Sequence, residues 1–289
     1  MKTTHIFLYL LASILGNAQD AILVTPQWLK DHMSDPNLVI VQSNYLKLEY
    51  DQEHIAGARY LWSGLLAPDG PQGSMNAPDV VKANELLGSM GISNKTMIVL
   101  CHARSDVSQT ARMFLMLEYL GMKGKVVFLN GGLEAWKKAG FDVTAEVPAV
   151  TKAKFNAVVT PLLVDKDYVM KNLNSTSTII VDARTKQIYD GAPAGQPRDG
   201  HIAGAQNIPY MEMLDPATAV FKPSEQLQTY FTPVATKDKE LVTYCFIGQT
   251  ASVVYMAGRI LGYNMKLYDG SIQEWSRLKD LPMEKTETK

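Results

Sequence analysis

Two cysteines are the residues of this chain best suited to covalent chemistry. Cys101 and Cys245 each follow a short apolar run, at residues 97–100 and 241–244. A cysteine thiolate is a strong nucleophile, so a cysteine at the end of a strand is a candidate for covalent catalysis. The alternative interpretation is a buried cysteine that packs as a small apolar side chain. The residues that follow each cysteine distinguish the two interpretations.

The loop after Cys245 has the composition of a site for an anion. It consists of the next five residues, which are Phe246, Ile247, Gly248, Gln249 and Thr250. A helix is predicted over 250–261, and the free N–H groups and the dipole at its start favour a negative charge. Gly248 lets the backbone curl so that several N–H groups can point at one sulfur atom. We therefore predict that Cys245 is the catalytic nucleophile and that the five loop residues bind the substrate.

The loop after Cys101 lacks this composition. It has Arg104 where the other loop has Gly248, and the next predicted helix begins further away. We therefore expect the first half of the chain to be non-catalytic. We also predict no disulfide between Cys101 and Cys245, because each ends a strand in a different domain and a bridge requires Cα atoms within about 7 Å.

The elements that carry these cysteines are duplicated. The residues His-Ile-Ala-Gly-Ala stand at 54–58 and again at 201–205. A looser pair of segments, at 130–136 and 269–275, ends in a tryptophan in both copies. The markers keep the same order around each cysteine, which is typical of a duplicated domain.

Each copy alternates short apolar runs with helical patterns. In the second half, strands are predicted over 178–181, 241–244 and 265–268. Such strands, separated by helices, predict an α/β fold with a mainly parallel sheet covered by helices on both faces. We predict two of these domains in tandem, at 20–143 and 159–289, joined by a linker at 144–158.

The first eighteen residues have the pattern of a secretion signal. Lys2 supplies the positive charge, residues 6–15 form a short apolar run, and small residues stand at the two positions that a signal peptidase reads before cleavage after Ala18. We therefore predict a periplasmic or secreted protein. The apolar run is too short to span a membrane, and no later stretch is long and apolar enough to do so.

The composition excludes several classes of function. The formal net charge is −1, the pI is about 6.5, and the sequence has no basic cluster of the kind that binds nucleic acid. Two cysteines and five scattered histidines give no zinc-ligand spacing. We expect no metal and no cofactor.

Several of these segments together resemble the tandem rhodanese domains. They are the Cys-x-x-Gly-x-Thr-Ala loop at 245–251, the two His-Ile-x-Gly-Ala segments, the run Val-Asp-Ala-Arg at 181–184 and the Gly-x-x-x-x-Trp near each domain end. The resemblance covers essentially the whole chain after the signal. It implies two rhodanese folds and a sulfurtransferase that carries sulfur as a persulfide on Cys245, from a small anionic donor to a thiol or cyanide acceptor.

The resemblance also implies roles for other residues. Arg198 matches an arginine that binds the anionic donor in this family. Asp182 matches a residue that orders the neighbouring loop. His201 belongs to the duplicated turn, so it is expected to pack there and not to act as a general base. Trp136 and Trp275 are expected to anchor the two cores.

The donor is less well determined than the nucleophile. Thiosulfate-specific members of the family carry basic residues directly after the cysteine, where this chain has Phe246 and Ile247. Mercaptopyruvate-specific members use a serine, a histidine and an aspartate. The serine position is Ile247 here, and in an ungapped alignment the other two positions fall near Ser74 and Trp62. Thiosulfate is our preferred donor because it requires no acid catalysis of a carbon leaving group. 3-Mercaptopyruvate transfer and a non-enzymatic sulfur carrier remain alternatives.

A related phosphatase chemistry is excluded. It would need an arginine six residues after the nucleophile to clamp the phosphoryl group. The residues at that place are Ala251 and Val107.

Overall fold

Two parallel sheets of five strands organise the part of the chain that the structure describes. This computed structural model describes residues 22–104 and 107–286, so the signal predicted over 1–18 lies outside the described residues. The strands of the first sheet, β1 to β5, are Leu23–Val24, Leu38–Gln42, Arg59–Tyr60, Met97–Cys101 and Val126–Leu129. They lie in the order β1-β5-β4-β2-β3, and every neighbouring pair is parallel.

The second sheet repeats this order. The remaining strands, β6 to β12, are Leu163–Val164, Thr178–Asp182, His201–Ile202, Gln206–Asn207, Glu240–Tyr244, Asn264–Tyr268 and Met283–Glu284. The sheet runs β6-β11-β10-β7-β9, again all parallel, while β8 and β12 form a separate antiparallel pair. The predicted duplication of one α/β fold is confirmed. The three strands predicted in the second half agree with β7, β10 and β11 to within one residue at each end.

Helices cover both faces of each sheet. The α-helices, α1 to α10, are Pro26–His32, Lys47–Gln52, Val80–Ser89, Ser108–Leu117, Gly132–Lys138, Lys166–Asn172, Lys186–Tyr189, Ser224–Phe231, Ala251–Ile260 and Ser271–Trp275. Two 3-10 turns, Ser63–Leu65 and Tyr210–Met213, and a π-helical turn, Glu118–Met122, complete them. Residues 145–160, which join the two domains, contain neither helix nor strand.

A shared apolar core holds the two domains together. Helices α4 and α9 pack against each other at its centre, and all ten residues of α4 are buried. Side chains of both helices, such as Phe114 and Val253, belong to one continuous hydrophobic cluster. The opposite face of each sheet has a core of its own, around Trp136 in the first domain and Trp275 in the second. Both tryptophans are almost completely buried, as predicted.

The topology puts the two cysteines at equivalent places. Cys101 is the last residue of β4, and Cys245 directly follows β10. Each of these strands is central, because β4 lies between β2 and β5 and β10 lies between β7 and β11. The carboxyl ends of parallel strands meet at one edge of the sheet, which is where such folds bind ligands.

Candidate functional site

Cys245 begins a loop that is fixed to the start of α10. Its carbonyl accepts the N–H of Ile272 at 3.1 Å, and its own N–H donates to the Oγ of Ser271 at 3.4 Å. Ser271 holds a left-handed φ of 50°, a conformation that is strained for a residue other than glycine. Cys245 itself is 1% exposed, so a substrate must reach its sulfur past the loop residues.

The loop turns its carbonyl groups towards the protein and keeps its N–H groups unused. The carbonyls of Phe246 and Gly248 accept hydrogen bonds from the N–H of Gln273 and the hydroxyl of Ser252. By contrast, no backbone N–H of residues 246–251 has an acceptor among residues 22–104 and 107–286. Fixed donors of this kind bind an anion without reorganisation. Gly248 permits the turn, since its φ is +84°.

The other loop residues occupy distinct positions. Phe246, Ile247, Gln249 and Thr250 are partly exposed, as expected of residues that line an opening. Gln249 extends across the domain boundary and donates from Nε2 to the Oγ of Ser108 at 2.7 Å. Thr250 precedes the first turn of α9 without a side-chain capping bond.

Arg198 makes structural contacts that the sequence did not predict. Its guanidinium donates four hydrogen bonds to the backbone carbonyls at and just beyond the end of α10, which are those of Trp275, Ser276, Leu278 and Leu281, at 2.7 to 3.0 Å. Only one of its five N–H groups remains for a ligand. Arg198 therefore secures the chain after α10, while Cys245 lies beside the start of that helix. These contacts give Arg198 a structural role, and binding of the donor by Arg198 stays a prediction.

Arg184 places a guanidinium beside the loop, and sequence reasoning missed it. Its Cζ lies 5.4 Å from the centre of the Phe246 ring, and it forms a bidentate pair with Asp182 through Nε and Nη2. Burial lowers the pKa of Arg184, but the hydrogen bonds and charge of Asp182, with smaller effects of Tyr244 and Cys245, raise it above its usual value. The sequence held a signal for this position, since Arg184 follows β7, the strand beside β10.

The two histidines of the duplicated segment pack in turns. His201 stacks on Tyr189 with ring centres 3.7 Å apart, and its Nδ1 lies 2.7 Å from the Tyr189 carbonyl. Its Nε2 lies 3.2 Å from a carboxylate oxygen of Glu284. His54 makes the same stack and the same Nδ1 contact with Tyr50. Both ring nitrogens of His201 are therefore engaged, which fits the packing role and leaves no free base.

The equivalent loop in the first domain differs from the loop after Cys245. Cys101 is 0% exposed, and burial raises the pKa of its thiol far above the usual value of 9.0. Arg104 stands where the second domain has Gly248, takes a left-handed φ of 57°, and pairs with Glu49 at 2.7 Å. Both Cys101 and Cys245 are free thiols in the structure. Cys101 packs in the apolar core of the first domain, and its lack of a part in the reaction stays a prediction.

Neither a cluster of metal ligands nor a membrane-spanning helix is present in the described part of the chain. No group of three or more His, Cys, Asp and Glu side chains in 22–104 and 107–286 could hold a metal ion. Within the same ranges, no helix has the length and apolarity that crossing a membrane requires.

Comparison with known proteins agrees with the fold and the duplication. The family model described as the rhodanese-like domain matches this chain twice, over residues 25–139 and 165–278. The chain belongs to the rhodanese family. The tandem rhodanese fold predicted from the sequence is therefore confirmed.

Several relatives align with this rhodanese over nearly their whole length. The sulfur carrier protein TtuD of Thermus thermophilus is 30% identical, over 94% of this chain and 100% of the relative. The thiosulfate sulfurtransferase of Azotobacter vinelandii is 26% identical, over 91% and 97%. The 3-mercaptopyruvate sulfurtransferase of Escherichia coli is 28% identical, over 90% and 97%.

Solved structures share the rhodanese fold at lower identity. YnjE superposes with a TM-score of 0.81 at 24% identity, over 92% of this chain and 69% of its own. The anaerobic ergothioneine biosynthesis enzyme of Chlorobium limicola gives a TM-score of 0.82 at 20% identity, over 92% and 71%. At these identities the likeness concerns the fold alone.

Proposed function

We propose that this sulfurtransferase takes the outer sulfur of thiosulfate onto Cys245 and passes it to cyanide or a thiol. The class of activity follows from the family and from relatives named as sulfurtransferases. The observation that carries the assignment to this site is the loop after Cys245. The six N–H groups of residues 246–251 have no acceptor among the described residues, and they directly follow the thiol.

The transfer needs no cofactor. The Cys245 thiolate attacks the outer sulfur of thiosulfate, the sulfur–sulfur bond of the donor breaks, and sulfite leaves with the bonding electrons. The product is a persulfide anion on Cys245. Cyanide then attacks the terminal sulfur, thiocyanate leaves, and the electron pair of the broken bond restores the thiolate. A thiol acceptor takes the same sulfur as its own persulfide. Loop N–H groups stabilise the negative charge that stays on sulfur throughout.

Arg184 is proposed as the cation that holds the oxygen atoms of the donor. Its Nη1 makes no hydrogen bond within the described ranges, whereas Nε and Nη2 are held by Asp182 and Nη2 also donates to the Gly200 carbonyl. A buried guanidinium that keeps one nitrogen without a hydrogen bond to the described residues suits an oxyanion. This role takes the place of the one that the sequence suggested for Arg198.

The four partly exposed loop residues are proposed as the wall of the substrate site. Phe246 and Ile247 would exclude water from the sulfur and strengthen its contacts with the loop N–H groups. Gln249, held by Ser108, would fix the far side of the loop, and Thr250 would offer a hydroxyl beside the start of α9.

3-Mercaptopyruvate is the less suitable donor. Its carbon leaving group must take up a proton as the C–S bond breaks. The positions where mercaptopyruvate-specific members of the family carry a histidine and an aspartate fall near Ser74 and Trp62 here. The backbone of Ser74 is bound to the side chain of Gln273, and neither Ser74 nor Trp62 offers a group that ionises near neutral pH.

A sulfur carrier is the second candidate, and one observation favours it. Cys245 is 1% exposed, which would protect a persulfide from solvent, and TtuD is named as a sulfur carrier protein. A carrier becomes loaded but does not turn over rapidly with a small acceptor.

Steady-state turnover separates these candidates. Formation of thiocyanate from thiosulfate and cyanide is expected to be fast and to exceed turnover with 3-mercaptopyruvate and cyanide. Faster turnover with 3-mercaptopyruvate would overturn the choice of donor. Loading of Cys245 without repeated turnover would identify a carrier.

Export is also proposed, on the pattern of the first eighteen residues. Lys2, the apolar run at 6–15 and the small residues at 16 and 18 support cleavage after Ala18. Mass measurement of the chain recovered from a periplasmic or secreted fraction should give a mature form that begins at Gln19. A chain that keeps Met1 in the cytoplasm would contradict it.

A further inference from the structure

Arg112 is a fully buried cation that extends from the first domain to the second. It lies in α4, is 0% exposed, and donates from Nη2 to an Asp269 carboxylate oxygen at 2.5 Å and to the carbonyl of Met75. Asp269 follows β11 in the second domain and also accepts the N–H of Ala77 at 2.8 Å. The domains are therefore joined here by a charged contact that is closed to water.

Two nitrogens of this guanidinium have no partner. Nε and Nη1 of Arg112 are buried without a hydrogen-bond acceptor among residues 22–104 and 107–286. Nη1 faces the loop after Cys245, because a Cβ atom added to Gly248 would lie 3.1 Å from it. Leaving buried N–H groups of a charged side chain unpaired destabilises the fold, because the hydrogen bonds that these groups made to water are not replaced. A contact that served only to join the domains would have no need of that arrangement.

A second interdomain ion pair gives the comparison. Arg259 of α9 donates from Nε and Nη2 to the two oxygens of Glu118 at 3.1 and 2.8 Å, so that pair is bidentate. It lies near the carboxyl end of α9, about 12 Å of helix away from the end next to Cys245. The two domains are thus joined by two arginine–carboxylate pairs. In the pair at Arg112, the unpaired Nη1 faces the loop after Cys245.

The charges near Cys245 come from three elements. One ion pair joins Asp182 of β7 to Arg184 in the loop that follows it. The other joins Arg112 of α4 to Asp269, the residue after β11. The Tyr244 phenol is also close, but burial raises its pKa far above the usual value, so it stays neutral. Each arginine lies beside the loop. The Cζ of Arg184 is 5.4 Å from the centre of the Phe246 ring, and a Cβ added to Gly248 would lie 3.1 Å from Nη1 of Arg112.

We propose that Arg112 is a positioning residue of the sulfur-transfer site. From the first domain it sets a fixed positive charge behind Gly248, and that charge favours the two anionic forms of Cys245, the thiolate and the persulfide. The first domain therefore takes part in the reaction although its own cysteine does not. This inference rests on the proposed role of Cys245.

The test compares Arg112→Met with Arg259→Met in the full-length chain, both carrying Cys101→Ser so that Cys245 is the only thiol. The rate of alkylation by iodoacetamide is measured across the pH range, together with the melting temperature. Both variants should melt lower than the parent. Only Arg112→Met should react more slowly, by about tenfold near pH 7, with its profile moved to higher pH. Arg112→Lys should keep most of the parent profile.

Asp269→Asn tests whether slower alkylation of Arg112→Met results only from loss of the interdomain ion pair. It removes the same interdomain ion pair but leaves the Arg112 charge uncompensated, so its alkylation near pH 7 should equal or exceed that of the parent. Slower alkylation in both Arg112→Met and Asp269→Asn, or unchanged profiles in both, would overturn the inference. Failure of the proposed function is a separate result, because the parent itself would then form no thiocyanate from thiosulfate.

Discussion

The side-chain amide of Gln249 donates a hydrogen bond of 2.7 Å to the hydroxyl of Ser108, which is the first residue of α4. The loop after Cys245 is thus held from the opposite domain, at the same helix that carries Arg112. The duplication explains the geometry, since α4 and α9 follow equivalent strands and pack against each other. The first domain therefore supports the loop after Cys245, although its own loop after Cys101 has Arg104 at the position of Gly248.

Gln249→Ala should slow sulfur transfer modestly. A single neutral hydrogen bond contributes about 1 kcal/mol, so a loop loosened by its loss should lower kcat/KM for thiosulfate about fivefold. Gln228→Ala is the matched control, because Gln228 makes a bond of 2.8 Å to the Tyr263 hydroxyl. An equal loss of kcat/KM in both variants would mean that Gln249 acts only through general stability.

Arg198→Ala should destabilise the fold without weakening donor binding. The variant loses four hydrogen bonds to the carbonyls of residues 275–281, and we expect unfolding to become easier by about 2–3 kcal/mol. Chemical denaturation and the KM for thiosulfate measure the two effects. Arg184→Lys should instead raise the KM for thiosulfate more than it lowers stability. A raised KM in Arg198→Ala with normal stability would restore its role in donor binding.

Gly248→Ala should abolish most activity through two effects. A left-handed backbone costs a residue with Cβ roughly 1–2 kcal/mol, and the new Cβ would press on Nη1 of Arg112, 3.1 Å away. Gly262→Ala is the control, since Gly262 has a similar φ of +79° but a Cβ added there would meet no atom within 4 Å. Both variants should melt lower, and only Gly248→Ala should lose turnover. Equal turnover in the two would show that the loop tolerates a side chain.

Cys101→Ser should keep sulfur transfer and change the response to alkali. Burial raises the pKa of the Cys101 thiol above its usual 9.0, so the folded chain holds a proton that the unfolded chain releases. This contribution to stability is complete below about pH 9 and is lost as the pH rises further. Denaturation near pH 7 and pH 10 should therefore show a smaller alkaline loss in Cys101→Ser than in the parent. A large loss of turnover near pH 7 would instead give Cys101 a part in the reaction.

The sequence predicted the features that local patterns determine. The strand bounds, the helix of α9, the turn role of His201 and the place of Cys245 all follow from residues close together in the chain. The roles of Arg198 and Arg112 did not follow, because their partners lie in distant segments. Arg198 meets carbonyls about 80 positions later, and Arg112 meets Asp269 in the other domain. The spacing of residues along the chain does not predict which helix end a distant arginine side chain will contact.

The most direct test of the account is the intact mass of the chain after incubation with thiosulfate and rapid desalting. The parent and Cys101→Ser should each gain the mass of one sulfur atom, and cyanide should remove it with formation of an equal amount of thiocyanate. Cys245→Ser should gain nothing while keeping the melting temperature of the parent. A gain of one sulfur atom by Cys245→Ser, or the absence of that gain in Cys101→Ser while the parent shows it, would contradict the assignment of the persulfide to Cys245.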